Sequence, residues 1–379
     1  VSSPFDGITL AGLRTRASTK WTAYPPDVLP AWIAEMDVAL DPAIRATLLA
    51  TIENDDTGYA TRRRIAAPFA AYLERTFGWA VEPAFVTTAT DVLAALAEVL
   101  RALTEPGAPV VINSPVYPPF YRVIGHIGRT VCDVPLLHDE RGWALDFAGL
   151  ERAFAAGAHA YVLCSPHNPL GRVWSEHELT RIAELAQRYR VVVIADEIHA
   201  PLTLSGATFV PFLAVSEPHG FVDGVALWSA SKAWNLAGLK CATIVAGSEP
   251  MQQRLRGIES EPSQLGVLAG IAAYEHGATW LRELNAQLDH NRTLLGDLLA
   301  AALPGVRYRP PEAGYLAWLD CAGLGLAGEP VDVFLARGRV ALSRGRDFGP
   351  TGAACVRLNF GTTPEILTEV VERMRRSLS

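Results

Sequence analysis

Lysine is scarce in this chain. Only Lys20, Lys232 and Lys240 occur in 379 residues, so 30 of the 33 Lys+Arg residues are arginine. Where arginine meets the ordinary need for surface cations, a retained lysine points to a need for an amine. Lys232 stands in Ser229-Ala230-Ser231-Lys232-Ala233-Trp234-Asn235, just after the apolar run Gly224-Val225-Ala226-Leu227-Trp228. An amine at the mouth of a buried strand can lose its proton and attack a carbonyl, as a Schiff-base lysine does. On this segment alone, the competing reading is a core-edge lysine that keeps its head in water. Two other polar clusters follow apolar runs in the same way. Asn168 lies in Ser165-Pro166-His167-Asn168-Pro169-Leu170-Gly171, after a run ending at Cys164, and Asp196-Glu197-Ile198-His199 follows Val191 to Ala195. Asn168, Asp196 and Lys232 are thus spaced by 28 and 36 residues.

Short apolar runs alternate with helical patterns through the middle of the chain. The runs Val110–Asn113, Val131–Leu136, Ala160–Cys164, Val191–Ala195, Ala226–Ser229 and Ala242–Ala246 read as strands. Asp91–Leu103, Phe147–Ala156 and Glu176–Tyr189, the last with Ser175 as its cap, read as helices. This alternation predicts an α/β fold with a mainly parallel sheet covered by helices on both faces. Such sheets carry their chemistry at the carboxyl ends of the strands, where each polar cluster falls. A long helix over roughly 279–302 leads into a smaller α+β region with strands near 314–319 and 356–360. The expected division is a large domain over 45–280 and a small α+β domain built from 1–44 and 281–379.

The ordered Asn, Asp and Lys, with Ser-x-x-Lys, resemble the fold-type I pyridoxal phosphate enzymes of the aspartate aminotransferase superfamily. The resemblance implies the PLP-dependent transferase fold and pyridoxal 5′-phosphate as cofactor. Asp196 would hold a proton on the ring nitrogen, and Lys232 would carry the cofactor and then act as base at the substrate's Cα. Asn168 would donate to the phenolate oxygen. In Thr87-Thr88-Ala89-Thr90-Asp91, which opens a helix, Ala89 and Thr90 would receive the phosphate. Either Thr90 or Asp91 can cap that helix. Relatives usually have glycine in this turn and this chain does not. Ser229 and Lys240 fall where the superfamily places a phosphate-binding hydroxyl and cation.

Tyr117, in Pro115-Val116-Tyr117-Pro118-Pro119-Phe120, would stack on the pyridine ring; the competing reading is a tyrosine packed at a helix start. Gly58-Tyr59 resembles the element that reaches across a dimer to the neighbour's phosphate, implying a homodimer with shared active sites. Arg357, inside the apolar run Cys355-Val356-Arg357-Leu358-Asn359-Phe360, needs a partner for a charge that cannot be neutralised. The substrate's α-carboxylate is one such partner and an internal salt bridge is the other.

Trp32-Ile33-Ala34-Glu35-Met36-Asp37, Gly58-Tyr59, Pro115 to Phe120, Asp196-Glu197-Ile198-His199 and Ser229 to Lys232 together resemble the MalY/PatB-type cystathionine β-lyases. Many transaminases carry Asp-x-x-Tyr where this chain has Asp-x-x-His, which places His199 near the phenolate oxygen; a purely structural His199 is the alternative. The resemblance implies α,β-elimination of L-cystathionine or related S-substituted L-cysteines to pyruvate, ammonia and a thiol. An aminotransferase using the same residues is the second reading. A regulatory protein on an inactivated scaffold is a third, disfavoured by the intact Lys232, Asp196, Asn168 and Arg357. Arg344 and Arg346 are candidates for a substrate's second carboxylate, or are simply solvated.

The remaining numbers exclude other classes. Half the residues are hydrophobic and mean hydropathy is +0.17, which suits a well-buried globular core. A formal charge of −7 and the lack of a basic tract beyond Arg62-Arg63-Arg64 argue against nucleic acid. The five scattered cysteines lack Cys-x-x-Cys spacing and suit a reducing, cytoplasmic setting. No His or Cys cluster predicts a metal, and neither a signal peptide nor a membrane-spanning run is expected.

Overall fold

The computed structural model describes residues 3–140, 142–216, 223–258 and 260–378. Its central sheet has seven strands: β1 (Val86–Ala89), β2 (Pro109–Ile112), β3 (Thr130–Asp133), β4 (Ala160–Cys164), β5 (Val192–Asp196), β6 (Gly224–Trp228) and β7 (Ala242–Ala246). Their order across the sheet is β1-β7-β6-β5-β4-β2-β3. Only β7 runs against its neighbours, so the carboxyl ends of the other six share one edge, and the start of β7 joins them.

Helix α1 (Pro42–Glu53) precedes the sheet in the chain. Strand alternation explains the two cores. Val110, Ile112, Ala160, Val162, Val192, Ile194, Val225 and Leu227 point to one face, where they pack with Val92, Leu96, Val99 and Leu100 of helix α2 (Val92–Leu103). Val111, Tyr161, Leu163, Val193, Ala226 and Trp228 point to the other face, toward Leu179, Ile182 and Ala183 of helix α3 (Glu176–Tyr189). Ser175 and Glu178 form a reciprocal capping box at the start of α3.

The expected strand at 131–136 stops at Asp133, because beyond it the Ser114 amide turns to Asp133 Oδ1 and the Asn113 side chain takes the Val134 carbonyl, so the next ladder bond is not made. The strand expected over 226–229 ends at Trp228, and Ser229 instead caps the single turn Ala230–Ala233. Beyond helix α4 (Gln264–His276) and the 25-residue helix α5 (Ala278–Ala302), the chain forms an antiparallel four-stranded sheet. Its strands are β8 (Arg307–Tyr308), β9 (Leu316–Asp320), β10 (Ser343–Arg344) and β11 (Cys355–Asn359), in the order β8-β9-β11-β10. The N-terminal segment joins this region through parallel pairing of Leu29–Pro30 with Val340–Ala341.

Candidate active site

A cavity of about 170 Å³ opens at the carboxyl edge of the central sheet. Tyr117, Asn168, Asp196, His199, Lys232 and Lys240 all reach its wall. They come from five turns, following β2, β4, β5 and β6 and preceding β7, with Asp196 and His199 sharing one, so the sheet gathers residues more than a hundred positions apart.

Asp196 ends β5 and is buried, with one backbone bond from the Ile198 amide at 3.2 Å. Burial pushes its carboxyl up to about 7, against the opposing pull of that amide and of Lys232. Lys232 is pulled the other way: burial, and then the Arg357 charge, lower its amine to about 8. Its Nζ donates to the Ala34 carbonyl at 2.9 Å, and the Tyr315 hydroxyl donates to the same oxygen at 2.9 Å. Sequence reasoning passed over Tyr315 and the Ala34 carbonyl. The pattern offered one signal for Tyr315, a large polar-tipped residue opening a buried strand.

His199 is buried and held neutral, since burial and the neighbouring Lys232 and Arg357 charges lower it to about 3. Its Nδ1 has no partner among the described residues, and its ring packs edge-on against Tyr315. Arg357 reaches Asn168 Oδ1 at 3.0 Å, the Trp32 carbonyl at 3.0 Å and Ser343 Oγ at 3.1 Å, and stacks over Phe348. All of these partners are neutral and, among the described residues, its Nε is unpartnered and no internal salt bridge forms. Burial lowers even this guanidinium, to about 10.

At the other end of the cavity, Asp91 is the cap of α2, accepting from the Ala94 amide at 2.9 Å. It also ion-pairs with Lys240 at 2.8 Å. Burial raises the Asp91 carboxyl, but Lys240 and the helix amides outweigh it and the net shift is downward. Thr90 does not cap the helix. Its amide donates to Ser260 Oγ at 3.0 Å and its hydroxyl to the Glu261 carbonyl at 2.7 Å. Ala89 is fully buried at the end of β1. The Ser229 hydroxyl is spent on the Cys241 carbonyl at 2.6 Å and on Ser231, and Ser231 rather than Ser229 faces the cavity. Tyr59 is 94% exposed and takes no part in the cavity of its own chain. Arg344 and Arg346 are engaged by Glu329, and Arg344 also by Asp332 at 2.6 Å.

Residues 37–374 match the model of the aminotransferase class I and II family. The chain belongs to that family. Over its whole length it is 45% identical to a Mycobacterium tuberculosis protein named "Putative cystathionine beta-lyase", covering 99% of that protein. It is 33% identical to the cystathionine beta-lyase PatB of Bacillus subtilis, over 93% of each chain. A structure from Corynebacterium diphtheriae, described as a "putative plp-dependent beta-cystathionase", superposes with a TM-score of 0.93 at 30% identity, over 100% of this chain and 99% of that one. Among the described residues, no helix is long and apolar enough to cross a membrane.

Proposed function

We propose that this chain is a pyridoxal 5′-phosphate-dependent carbon–sulfur β-lyase acting on L-cystathionine or a related S-substituted L-cysteine. The observation that carries the reading is the cavity itself, whose wall brings Lys232, Asp196, Asn168 and His199 together beside a buried Arg357 guanidinium that bonds to neutral partners. Burial shifts Asp196 up and Lys232 down, the reverse of what a structural ion pair would do.

The residues fit the cofactor. His199 Nδ1 and Arg357 Nε are buried polar atoms without partners, each worth about 1–3 kcal/mol if left so. Asp196 is a carboxylate awaiting a cationic nitrogen, and Lys240 with the α2 amides suits a phosphate. Pyridoxal 5′-phosphate, when bound, supplies an electron sink beside the substrate's Cα. Asp196 would keep a proton on the ring nitrogen, Asn168 and His199 would take the phenolate oxygen, and Tyr117 would stack on the ring. Ala89 and Thr90 border the phosphate, and Ser229 orders the turn beside it. Arg357 holds the α-carboxylate through the fork now shared among neutral groups. The Lys232 amine takes the Cα proton, and the electron pair left there expels the β-thiolate. Hydrolysis of the remaining fragment yields pyruvate and ammonia.

The proposal includes a homodimer in which Tyr59 serves the neighbour's site. Its near-complete exposure, with Leu49 and Ile52 exposed on the same stretch, supports this. It also includes the division into a 45–280 domain and a small domain of 1–44 with 281–379, supported by the Leu29–Pro30 pairing with Val340–Ala341. A cytoplasmic setting fits the free cysteines.

The test mixes protein and cofactor with L-cystathionine, without a keto acid. Equal pyruvate and thiol over many turnovers supports the lyase. Turnover that begins only when a keto acid is added would make it an aminotransferase.

A further inference from the structure

Lys20 is the lysine that this chemistry leaves unused, and it is 1% exposed. Its Nζ pairs with Asp37 Oδ2 at 2.8 Å and donates to the Glu35 carbonyl at 3.0 Å, while Trp21 Nε1 donates to Asp37 Oδ1 at 3.0 Å. A buried pair of this kind rarely adds stability over an apolar replacement, so its retention asks for another reason.

The neighbouring backbone supplies one. Residues 32–36 form no helix or strand, yet each carbonyl is held by side chains from elsewhere. Trp32 is held by Arg357 and Ser343, and Ile33 by Asn359. Ala34 is held by Lys232 and Tyr315, Glu35 by Lys20 and Asn359, and Met36 by Asn235. Backbone bonds to other elements anchor the strap at its ends, Ala31 to Ala341 and Asn359 and Asp37 to Gly361, and those side chains tie down the carbonyls between. The carbonyl that receives the Lys232 amine is one residue from the carbonyl that Lys20 holds. An ammonium suits the place: an arginine would bring five donors to a niche offering one carboxylate oxygen and one carbonyl.

We propose that Lys20, with Asp37, is a positioning residue for Lys232: the buried pair fixes the strap, and the strap's Ala34 carbonyl aims the Lys232 amine. This inference rests on the proposed role of Lys232 as the base. The charged and titratable groups facing that amine are Asp196, Arg357, Glu35, Lys240 and His199, and of these only Glu35 belongs to the strap that Lys20 holds.

The experiment uses the holoenzyme of Lys20→Met and of the double variant Lys20→Met/Asp37→Asn, which removes both charges and keeps an acceptor for Trp21. The double variant covers the case in which the single one fails to fold. Expected is a loss of about 10- to 100-fold in kcat, with KM and cofactor retention within about threefold. The acid limb of kcat against pH should also move lower, because a carbonyl acceptor favours the proton-bearing amine. An unchanged kcat and acid limb in the double variant, even with a lowered Tm, overturns the proposal and leaves Lys20 a structural clamp. If wild type turns over an amino acid with a keto acid instead of cystathionine, the lyase reading fails and the same split is read on that reaction. If wild type performs neither, the role of Lys232 fails and this inference fails with it.

Discussion

Burial acts on Asp196, Glu197 and Lys232 in one direction, toward the uncharged form. For Lys232 that makes a base available near neutral pH, so Lys232→Ala should cost at least about 10²–10⁴-fold in turnover, measured as pyruvate release. Asp196→Asn should lower turnover by about 10²-fold or more while the fold, read by circular dichroism, persists. Glu197 offers a separate check. It is fully buried, accepts from the Phe212 amide at 2.7 Å, and burial pushes its carboxyl up to about 8 from an ordinary value of 4.5. The folded state therefore binds this proton more tightly than the unfolded chain does. Its contribution is complete below the ordinary carboxylate range and is lost as pH rises through about 8. Without added cofactor, Tm should fall over that window, and Glu197→Gln should flatten the fall. A Gln variant with an unchanged Tm profile would contradict the assignment. Asn168, Asp196, His199 and Lys232 were legible in sequence because each lies at or within four residues of the end of a buried strand. The Ala34 carbonyl was not, since a backbone acceptor leaves no trace in residue type.

The strands and the amphipathic helices were legible for a related reason. Short continuous apolar runs bounded by turns suit strands buried on both faces, and α3 displays a polar face and a cap. Ser175→Ala should remove one half of its capping box and cost about 1 kcal/mol, a Tm drop on the order of 1–3 °C with kcat unchanged. Helix α4 escaped the reading. Gly266, Val267, Leu268, Ala269, Gly270, Ala272, Ala273 and Tyr274 are all buried, so no polar stripe sets a period. The cap of α2 was ambiguous because Thr90 and Asp91 are both good caps. Contact with Ser260 and Glu261, some 170 residues away, draws Thr90 aside.

Across the molecule, the paired Leu29–Pro30 and Val340–Ala341 bring the two ends of the chain together, a contact no local pattern announces. The proposed homodimer is tested at this scale. Leu49→Asp/Ile52→Glu places charges on the exposed apolar face of the Pro42–Glu53 helix and should give a monomer by light scattering. Turnover should fall with it if Tyr59 serves the neighbour; a fully active monomer would refute the shared site. The scarcity of lysine has a practical side as well. Lys20 is enclosed, Lys232 is partly buried in the cavity wall, and Lys240, at the mouth of the cavity, is half exposed. An amine-directed dye or cross-linker, which on most proteins decorates the whole surface, would here find its most accessible lysine beside the substrate's entrance. Labelling yield would then serve as a gauge of site occupancy, and coupling to a solid support through lysine would block the enzyme it was meant to display.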